Sequence, residues 1–346
     1  MGYIIIGIFT VTVFFALFEE KIIKYRTPLY IFIFFLLVLV AGLREVGVDY
    51  DSLNYEGTFL DSDSNTAAES VEYSYILFSQ IIKFFSNDVH ILFLFYALLG
   101  VGLKMYAFRK YNSLWFPILA IYISEYYALQ ECMQIRSGVL SGFLLIAITQ
   151  IGDGKKKLAV LSLLLGCFFH YSALILLPIL FLSNKEMTKK QRIKWGAFVS
   201  ISYLLFILGV SFLFNFTSNI PYIGNKLDMY QKGLEIGIHA ERLNVFDLKH
   251  LLRLFLYFYI LYFYDTISKY NKYLPLLIKI FSIGLFFYAA FAFFPVFGER
   301  VNRLYEVVCI ILFANIYYTI RPKWAATGVI FILGLILLNY SLTVFV

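Results

Sequence analysis

Charged residues are scarce in this sequence. They make up 15% of the 346 residues, whereas 61% are hydrophobic and the mean hydropathy is +0.79. An average soluble domain has about 25% charged residues. A single soluble core cannot contain this excess of apolar side chains, so lipid must solvate much of the surface. The composition excludes an ordinary soluble enzyme and predicts an all-α polytopic membrane protein.

Cysteine is also scarce, and neither a metal motif nor a nucleic-acid motif is present. Cys132, Cys167 and Cys309 are odd in number and widely separated, which fits neither a disulfide framework nor a zinc site. The formal net charge is +7, but the basic residues lie in short breaks between apolar runs, without the interleaved aromatics typical of nucleic-acid grooves. We therefore expect no metal, no cofactor and no nucleic-acid partner.

Apolar runs recur along the whole chain, separated by short polar breaks. No soluble linker and no clear internal repeat interrupts them, so we predict a single integral-membrane domain, residues 1–346, with roughly ten to twelve transmembrane helices. The candidate spans are residues 3–18, 29–43, 89–108, 114–129, 138–151, 195–216, 251–264, 274–294, 304–320 and 324–344.

The basic breaks predict the orientation in the membrane, because positively charged loops stay in the cytoplasm. Three breaks are placed inside by this rule, and the acidic stretch 44–88 is then outside. The three breaks contain Lys21, Lys24 and Arg26, then Arg109 and Lys110, then Lys155, Lys156 and Lys157.

Residues 158–182 contain no Asp, Glu, Lys or Arg, yet basic clusters flank them on both sides. A single tilted span would place one of these two clusters outside the cell. A helical hairpin that bends near His170 keeps both clusters in the cytoplasm, and we expect this arrangement. His170 would then lie toward the outer side, at a backbone break of the kind that lines a cavity.

Ionisable residues from separate segments collect toward the outer side in this topology, and such residues usually mark a site. Four short motifs occur there in order, with a weaker fifth near the end. They are Arg44-Glu-Val-Gly-Val-Asp49-Tyr-Asp51-Ser-Leu-Asn-Tyr55, Glu72-Tyr-Ser-Tyr75, Gln134-Ile-Arg136, Phe169-His170 with Pro178, and Glu299-Arg300-Val-Asn-Arg303. Together the motifs resemble the EpsG/Wzy-type polysaccharide polymerases.

The resemblance implies a membrane glycosyltransferase of GT-C-like architecture that makes an O-antigen, a capsule or an exopolysaccharide. Such an enzyme would transfer a growing glycan from undecaprenyl diphosphate to the non-reducing end of a lipid-linked repeat unit. The reaction would take place at the outer face of the cell inner membrane. The implied partners are undecaprenyl-diphosphate-linked oligosaccharides and membrane lipid, together with a chain-length regulator and a flippase.

The residue types fit this chemistry. A lipid diphosphate is a good leaving group, so the protein mainly has to bind its charge, which arginine does bidentately. The acceptor hydroxyl needs a base, and a carboxylate stabilises an oxocarbenium-like centre. The catalytic candidates are His170, Glu72 and Asp51, with His170 favoured because histidine titrates near neutral pH. The candidates for binding diphosphate or sugar are Arg44, Arg136, Arg300, Arg303, Gln134, Asp49, Tyr55 and Tyr75. We expect the reaction to be metal-independent.

Structural roles compete with these assignments. Asp49 and Asp51 would also serve to cap an exterior turn, and Arg303 would also form a surface ion pair with Glu306. Other functions stay open, including that of a non-catalytic membrane partner in a synthase complex. A GT-C glycosyltransferase with a polyprenyl-phosphate monosaccharide donor would use Asp49-Tyr-Asp51 as its acidic pair, often with a divalent metal. A transporter or flippase for lipid-linked sugars would show internal repeats.

Overall fold

The computed structural model describes residues 1–62, 72–208, 243–292 and 294–345, and all regular secondary structure within these ranges is helical. The chain divides into two compact units. Unit 1 comprises Met1–Asn184, Asp265–Leu274 and Ile310–Val346, and unit 2 comprises Lys185–Tyr264 and Pro275–Cys309. The single membrane domain expected from the sequence stays a prediction.

The helices are numbered in chain order. The first eight α-helices are α1 Gly2–Leu17, α2 Arg26–Gly42, α3 Ser52–Leu60, α4 Tyr73–Lys83, α5 Val89–Tyr111, α6 Trp115–Tyr122, α7 Ile135–Gly152 and α8 Lys156–Phe169. A π-helix, Ile123–Met133, continues α6, and a 3₁₀-helix, Tyr171–Phe181, follows α8. The remaining elements are α9 Lys189–Leu208, α10 Leu248–Tyr262, α11 Tyr264–Ile267, α12 Leu274–Ala290, α13 Pro295–Glu306, α14 Cys309–Ala314, a 3₁₀-helix Asn315–Tyr318 and α15 Lys323–Phe345.

The chain is an all-α polytopic membrane protein, as its composition predicts. Among the described residues, three helices are long and apolar enough to cross a membrane, namely Val89–Tyr111, Ile135–Gly152 and Lys323–Thr343, or four if α13 and the helix after it form one span. Four shorter apolar helices accompany them. Large apolar side chains such as Phe35 and Leu164 are half exposed, which suits a lipid-facing surface. The count of ten to twelve crossings stays a prediction.

The helical hairpin near His170 is confirmed. Helix α8 ends at Phe169, and His170 has an extended backbone before the 3₁₀-helix begins. At the far end of that 3₁₀-helix, the side-chain amide of Asn184 lies 3.5 Å from the carbonyl oxygen of Gly152, just before α8. The same amide donates a hydrogen bond to the carbonyl of Lys272 at 3.1 Å. The chain therefore returns to the end of unit 1 from which the hairpin began.

The basic breaks of unit 1 gather at that same end, as the charge rule predicts. Lys272 pairs with Asp153 at 2.8 Å, immediately after α7. Lys323 pairs with Glu20, and Arg26 donates to the carbonyl of Ser113 at 3.1 Å. Helix α7 has 18 residues and is about 27 Å long, so its first turn lies at the opposite end of the unit.

Glycines let the helices that carry the site pack closely. A Cβ added at Gly42 in α2 would overlap the side chain of Leu94 in α5, and one added at Gly142 in α7 would lie 2.6 Å from that of Leu103. Any larger residue at these positions would separate the helices. Helices α2, α5, α7 and α8 therefore form a compact frame, and the site lies at its end.

Candidate active site

Glu72 is the central residue of the site. It lies with extended backbone immediately before α4, and its carboxylate contacts two partners. Arg136 donates from Nη1 to Oε2 of Glu72, and Nδ1 of His170 contacts Oε1. These partners lie 64 and 98 residues away in the sequence. Three of the predicted residues are thus brought together by folding, around one carboxylate.

Each of the three residues lies at the end of a helix. Arg136 is in the first turn of α7, just after the π-helix ends and the helical backbone is interrupted at Gln134. His170 follows the last residue of α8, where the hairpin turns. The helix ends rest on a buried apolar cluster that includes Phe93 and Phe169. A π-helix is rare and often occurs at a functional site, where it redirects the side chains that follow.

Tyr55 and Tyr75 lie beside Arg136. Their rings stack at 5.4 Å, and the guanidinium carbon of Arg136 lies 5.6 Å from the first ring centroid and 5.9 Å from the second. The hydroxyl of Tyr75 donates to the carbonyl of Tyr55 at 2.7 Å. Both rings are buried. They therefore form a fixed apolar surface against which the guanidinium packs. Sugar binding by these tyrosines stays a prediction.

Arg44 and Asp49 form a separate ion pair in the loop after α2. Nε of Arg44 donates to Oδ2 of Asp49 at 3.0 Å, and neither side chain is exposed. Arg44 also donates to the carbonyl of Ala41 at 2.7 Å and lies 3.9 Å above the ring of Phe93. The other oxygen of Asp49 accepts the backbone N–H of Ser52, at the start of α3, at 2.9 Å. These contacts stabilise the loop, and ligand binding by the pair stays a prediction.

Asp51 and Gln134 lie close to this group with their side chains partly exposed. Burial raises the pKa of the Asp51 carboxyl above its usual 3.8, and the charge of Asp49 raises it further, whereas Arg136 and Arg44 lower it. Asp51 is therefore within electrostatic reach of both arginines. Gln134 occupies the break two residues before Arg136.

Comparisons with known proteins now bear on this arrangement. The model of the EpsG family matches residues 27–346. The chain belongs to the EpsG family. A similar protein is the amylovoran biosynthesis protein AmsC of Erwinia amylovora, which is 25% identical over 300 residues, 83% of this chain and 78% of that protein. No solved structure matches the chain.

The predicted arginines near the end of this EpsG-family chain lie in unit 2, on α13. Arg303 pairs with Glu299, four residues earlier on the same helix, and Arg300 is exposed. The alternative pairing of Arg303 with Glu306 is wrong, because the Glu306 carboxylate accepts from Arg253 of α10 at 2.6 Å and from Asn302 at 2.6 Å. Diphosphate binding by Arg300 and Arg303 stays a prediction.

Two buried ionic groups were missed in the sequence. Arg253 lies in α10 just before its apolar second half, and Lys104 lies in the apolar helix α5, where it pairs with Glu131. A lone charge within an apolar run is the signal that would have identified Lys104. The partners could not be identified in this way, because they come from other segments of the chain.

The described residues contain no group of three or more His, Cys, Asp or Glu side chains that could bind a metal ion. The carboxylate of Asp49 is already engaged by Arg44 and by backbone N–H groups, so it does not point with Asp51 into a common site. The arrangement of Glu72, Arg136 and His170 instead offers a base and a cation on either side of one carboxylate. That the reaction of this protein is metal-independent stays a prediction.

Proposed function

We propose that this protein is a polysaccharide polymerase. It transfers a growing glycan from undecaprenyl diphosphate to the non-reducing end of a lipid-linked repeat unit. Family membership supports a role in exopolysaccharide synthesis, and so does the similarity to a protein of amylovoran biosynthesis. The observation that carries the proposal is the Glu72 carboxylate between Arg136 and His170.

His170 is the general base in this proposal. When Nδ1–H donates to Glu72, the imidazole is fixed as the tautomer whose Nε2 can accept a proton. Nε2 takes the proton of the acceptor hydroxyl while that oxygen bonds to the anomeric carbon of the donor glycan. The bond from the anomeric carbon to the diphosphate breaks, and undecaprenyl diphosphate leaves with the electron pair. One third of the His170 side chain is exposed, so a substrate can reach it.

Arg136 binds the diphosphate in this proposal. Its guanidinium stays ionised, and its planar set of N–H donors matches phosphate oxygens. One nitrogen donates to Glu72, which fixes the orientation of the group, and 21% of the side chain is exposed. The arginine thus stabilises the negative charge that develops on the leaving diphosphate. Arg300 and Arg303 are further diphosphate-binding candidates.

The site faces the outside of the cytoplasmic membrane in this proposal. The basic breaks gather at the opposite end of unit 1, which the charge rule assigns to the cytoplasm. Lipid-linked repeat units would be delivered to this outer face by a flippase, and a chain-length regulator would set the polymer length. The substrates are large and lipid-bound, so an opening toward both lipid and the exterior is required.

Replacement of His170 tests the proposal. His170→Gln preserves approximate volume and hydrogen bonding, and we expect polymerisation to fall by about 10²–10⁴-fold with normal folding, the usual contribution of a positioned base. The assay measures polymer formation by purified protein from lipid-linked repeat units. Glu72→Gln should also reduce the rate, because it no longer stabilises the protonated imidazole.

His90 provides a matched control for this experiment. It lies at the same end of unit 1, its side chain is 32% exposed compared with 33% for His170, and its Nδ1 contacts the Asp88 carboxylate at 2.7 Å. His90→Gln should polymerise at the normal rate. A normally folded and fully active His170→Gln variant would remove His170 from the mechanism. Equal losses in both variants would indicate a general effect on folding.

A further inference from the structure

A buried lysine and a buried glutamate lie directly behind the Arg136 segment. Lys104 belongs to α5 and Glu131 to the π-helix, and their side chains are 0% and 1% exposed. The ammonium of Lys104 donates to Glu131 at 2.5 Å and to the carbonyl oxygen of Gly138 at 2.6 Å. Burial of two charges is costly, and their attraction often fails to offset that cost. A contribution to stability alone therefore explains such a pair poorly.

The lysine contacts both sides of a break in the chain. Glu131 precedes the break at Gln134, where the π-helix gives way to α7, and Gly138 follows it in the first turn of α7. Arg136 lies between these two contacts. A single ammonium group bound on both sides fixes the angle between the two helices, and with it the direction in which the Arg136 side chain leaves the backbone.

Neighbouring groups are arranged around this pair. The hydroxyl of Tyr122 donates to the same oxygen of Glu131 at 2.8 Å, and the hydroxyl of Ser141 donates to the Gly138 carbonyl at 2.8 Å. A Cβ added at Gly100 would overlap the other carboxylate oxygen of Glu131. Gly100 therefore leaves space for the Glu131 side chain, and Lys104 lies one helical turn later on the same helix, α5.

We propose that Lys104 and Glu131 are positioning residues for Arg136. They fix the junction between the π-helix and α7 so that the guanidinium reaches Glu72 on one side and a phosphate group on the other. The role rests on the proposed polymerase function, because Arg136 has a diphosphate to bind only in that reaction. Neither residue touches the substrate, and their effect passes through Arg136.

The double variant Lys104→Met/Glu131→Gln removes the ion pair without leaving a buried unpaired charge. The Gly138 carbonyl retains its hydrogen bond from Ser141, and the introduced amide retains an oxygen that can accept from Tyr122. We expect normal thermal unfolding in detergent and a kcat for polymerisation lowered by about 10–100-fold, as for a small misplacement of a substrate-binding group. The KM for the lipid-linked acceptor should change little, because Arg136 binds the donor.

The ion pair at the other end of α7 is the control. Lys272 and Asp153 pair at 2.8 Å just after α7, so Lys272→Met/Asp153→Asn removes a charge pair from α7 without touching the Arg136 junction. This variant should retain the wild-type kcat. An equal loss of activity in the two double variants would not be specific to the junction and would overturn the positioning role.

Coupling to Arg136 separates positioning from simple structural support. In the wild-type background Arg136→Lys should cause a large loss, whereas in the Lys104→Met/Glu131→Gln background its added loss should be clearly smaller, since part of the interaction is already lost. Independent, multiplicative losses would overturn the proposal. So would an unchanged kcat in the double variant. Absence of polymer with the wild-type protein would instead contradict the polymerase function itself.

Tyr122→Phe keeps the inference testable if the double variant fails to fold. It removes a single hydroxyl that donates to Glu131 and leaves the ring in place, so the variant should still fold, with at most a small decrease in melting temperature. We expect kcat to fall by about 2–10-fold, less than in the double variant, because Lys104 still pairs with Glu131. An unchanged kcat in this folded variant would count against the positioning role.

Discussion

Two arginine–carboxylate pairs lie at the same end of unit 1, and they differ in almost every respect. Arg44 and Asp49 are five residues apart, and neither side chain is exposed. Arg136 and Glu72 are 64 residues apart, and 21% of the arginine side chain is exposed. The Glu72 carboxylate also contacts His170. The first pair closes a loop, whereas the second assembles groups from three separate segments.

The contrast between the two pairs shows how a charge near a membrane can be interpreted. An ionised side chain in this environment is costly, and its presence indicates a purpose. That purpose is structural where the group is buried and its charge is paired within its own loop, as for Arg44 with Asp49. A functional purpose requires that a ligand can reach the group, and Arg136 meets this requirement. Exposure and shared partners, not charge alone, separate the two roles.

Replacement of Arg136 should have the largest effect on activity. Arg136→Ala should lower polymerisation by about 10²–10³-fold or more, the typical cost of removing a group that stabilises transition-state charge. Arg136→Lys should also be impaired, because an ammonium cannot reproduce the bidentate fork. Polymer length measured on gels should collapse to single repeat units, which need no polymerisation to reach their final acceptor.

Arg109→Ala is a suitable control, since this arginine lies at the opposite end of unit 1 and packs on Trp115. It should leave polymer length unchanged. Full activity of folded Arg136→Lys would reduce Arg136 to a generic positive charge and would erase the proposed functional contrast with Arg44.

Replacement of Arg44 should affect stability before activity. Arg44→Met leaves Asp49 buried without its cation, which typically costs about 3–5 kcal/mol of unfolding free energy. The double variant Arg44→Met/Asp49→Asn should recover much of this loss, because no unpaired charge remains. Thermal unfolding in detergent measures both effects. A stable but inactive Arg44→Met variant would contradict the structural role and would return Arg44 to the diphosphate site.

The confirmed parts of the fold follow from local features of the sequence. The turn at His170 was predictable, because the basic clusters on both sides of an apolar run constrain the topology without reference to the rest of the chain. The motif order also brought Glu72, Arg136 and His170 into one candidate set. The contacts of Arg136 and His170 with the Glu72 carboxylate were not predictable, since they depend on how α4, α7 and α8 pack.

The failures have a common physical origin. Arg303 has acidic residues both four positions before it and three positions after it, and both positions lie on its own helix face. The choice between them depends on Arg253, which attracts Glu306 from another helix. Lys104 was missed for the same reason, because its partners on the π-helix and α7 lie 27 and 34 residues away. Long-range partners decide the role of a charge.

Asp51 provides the smallest and most specific test, because both arginines act on it. Its pKa is raised in the folded protein, mainly by burial and then by Asp49. The folded state therefore binds a proton more tightly than the unfolded state does, so the ionised carboxylate reduces stability as the pH rises above 3.8. Asp51→Asn should thus stabilise the protein at neutral pH, by less than about 1 kcal/mol because the partly exposed group is screened by solvent.

The stabilisation by Asp51→Asn should disappear on acidification, because both folded and unfolded Asp51 are neutral well below pH 3.8. Unfolding midpoints of the variant and the wild type, compared at neutral and acidic pH, measure this difference. No cap is lost, since the Asp51 side chain makes no hydrogen bond to the first turn of α3. Polymerisation should stay within a few-fold of the wild type if His170 is the base. A loss as large as that of His170→Gln would assign the base to Asp51 and would contradict this role for His170.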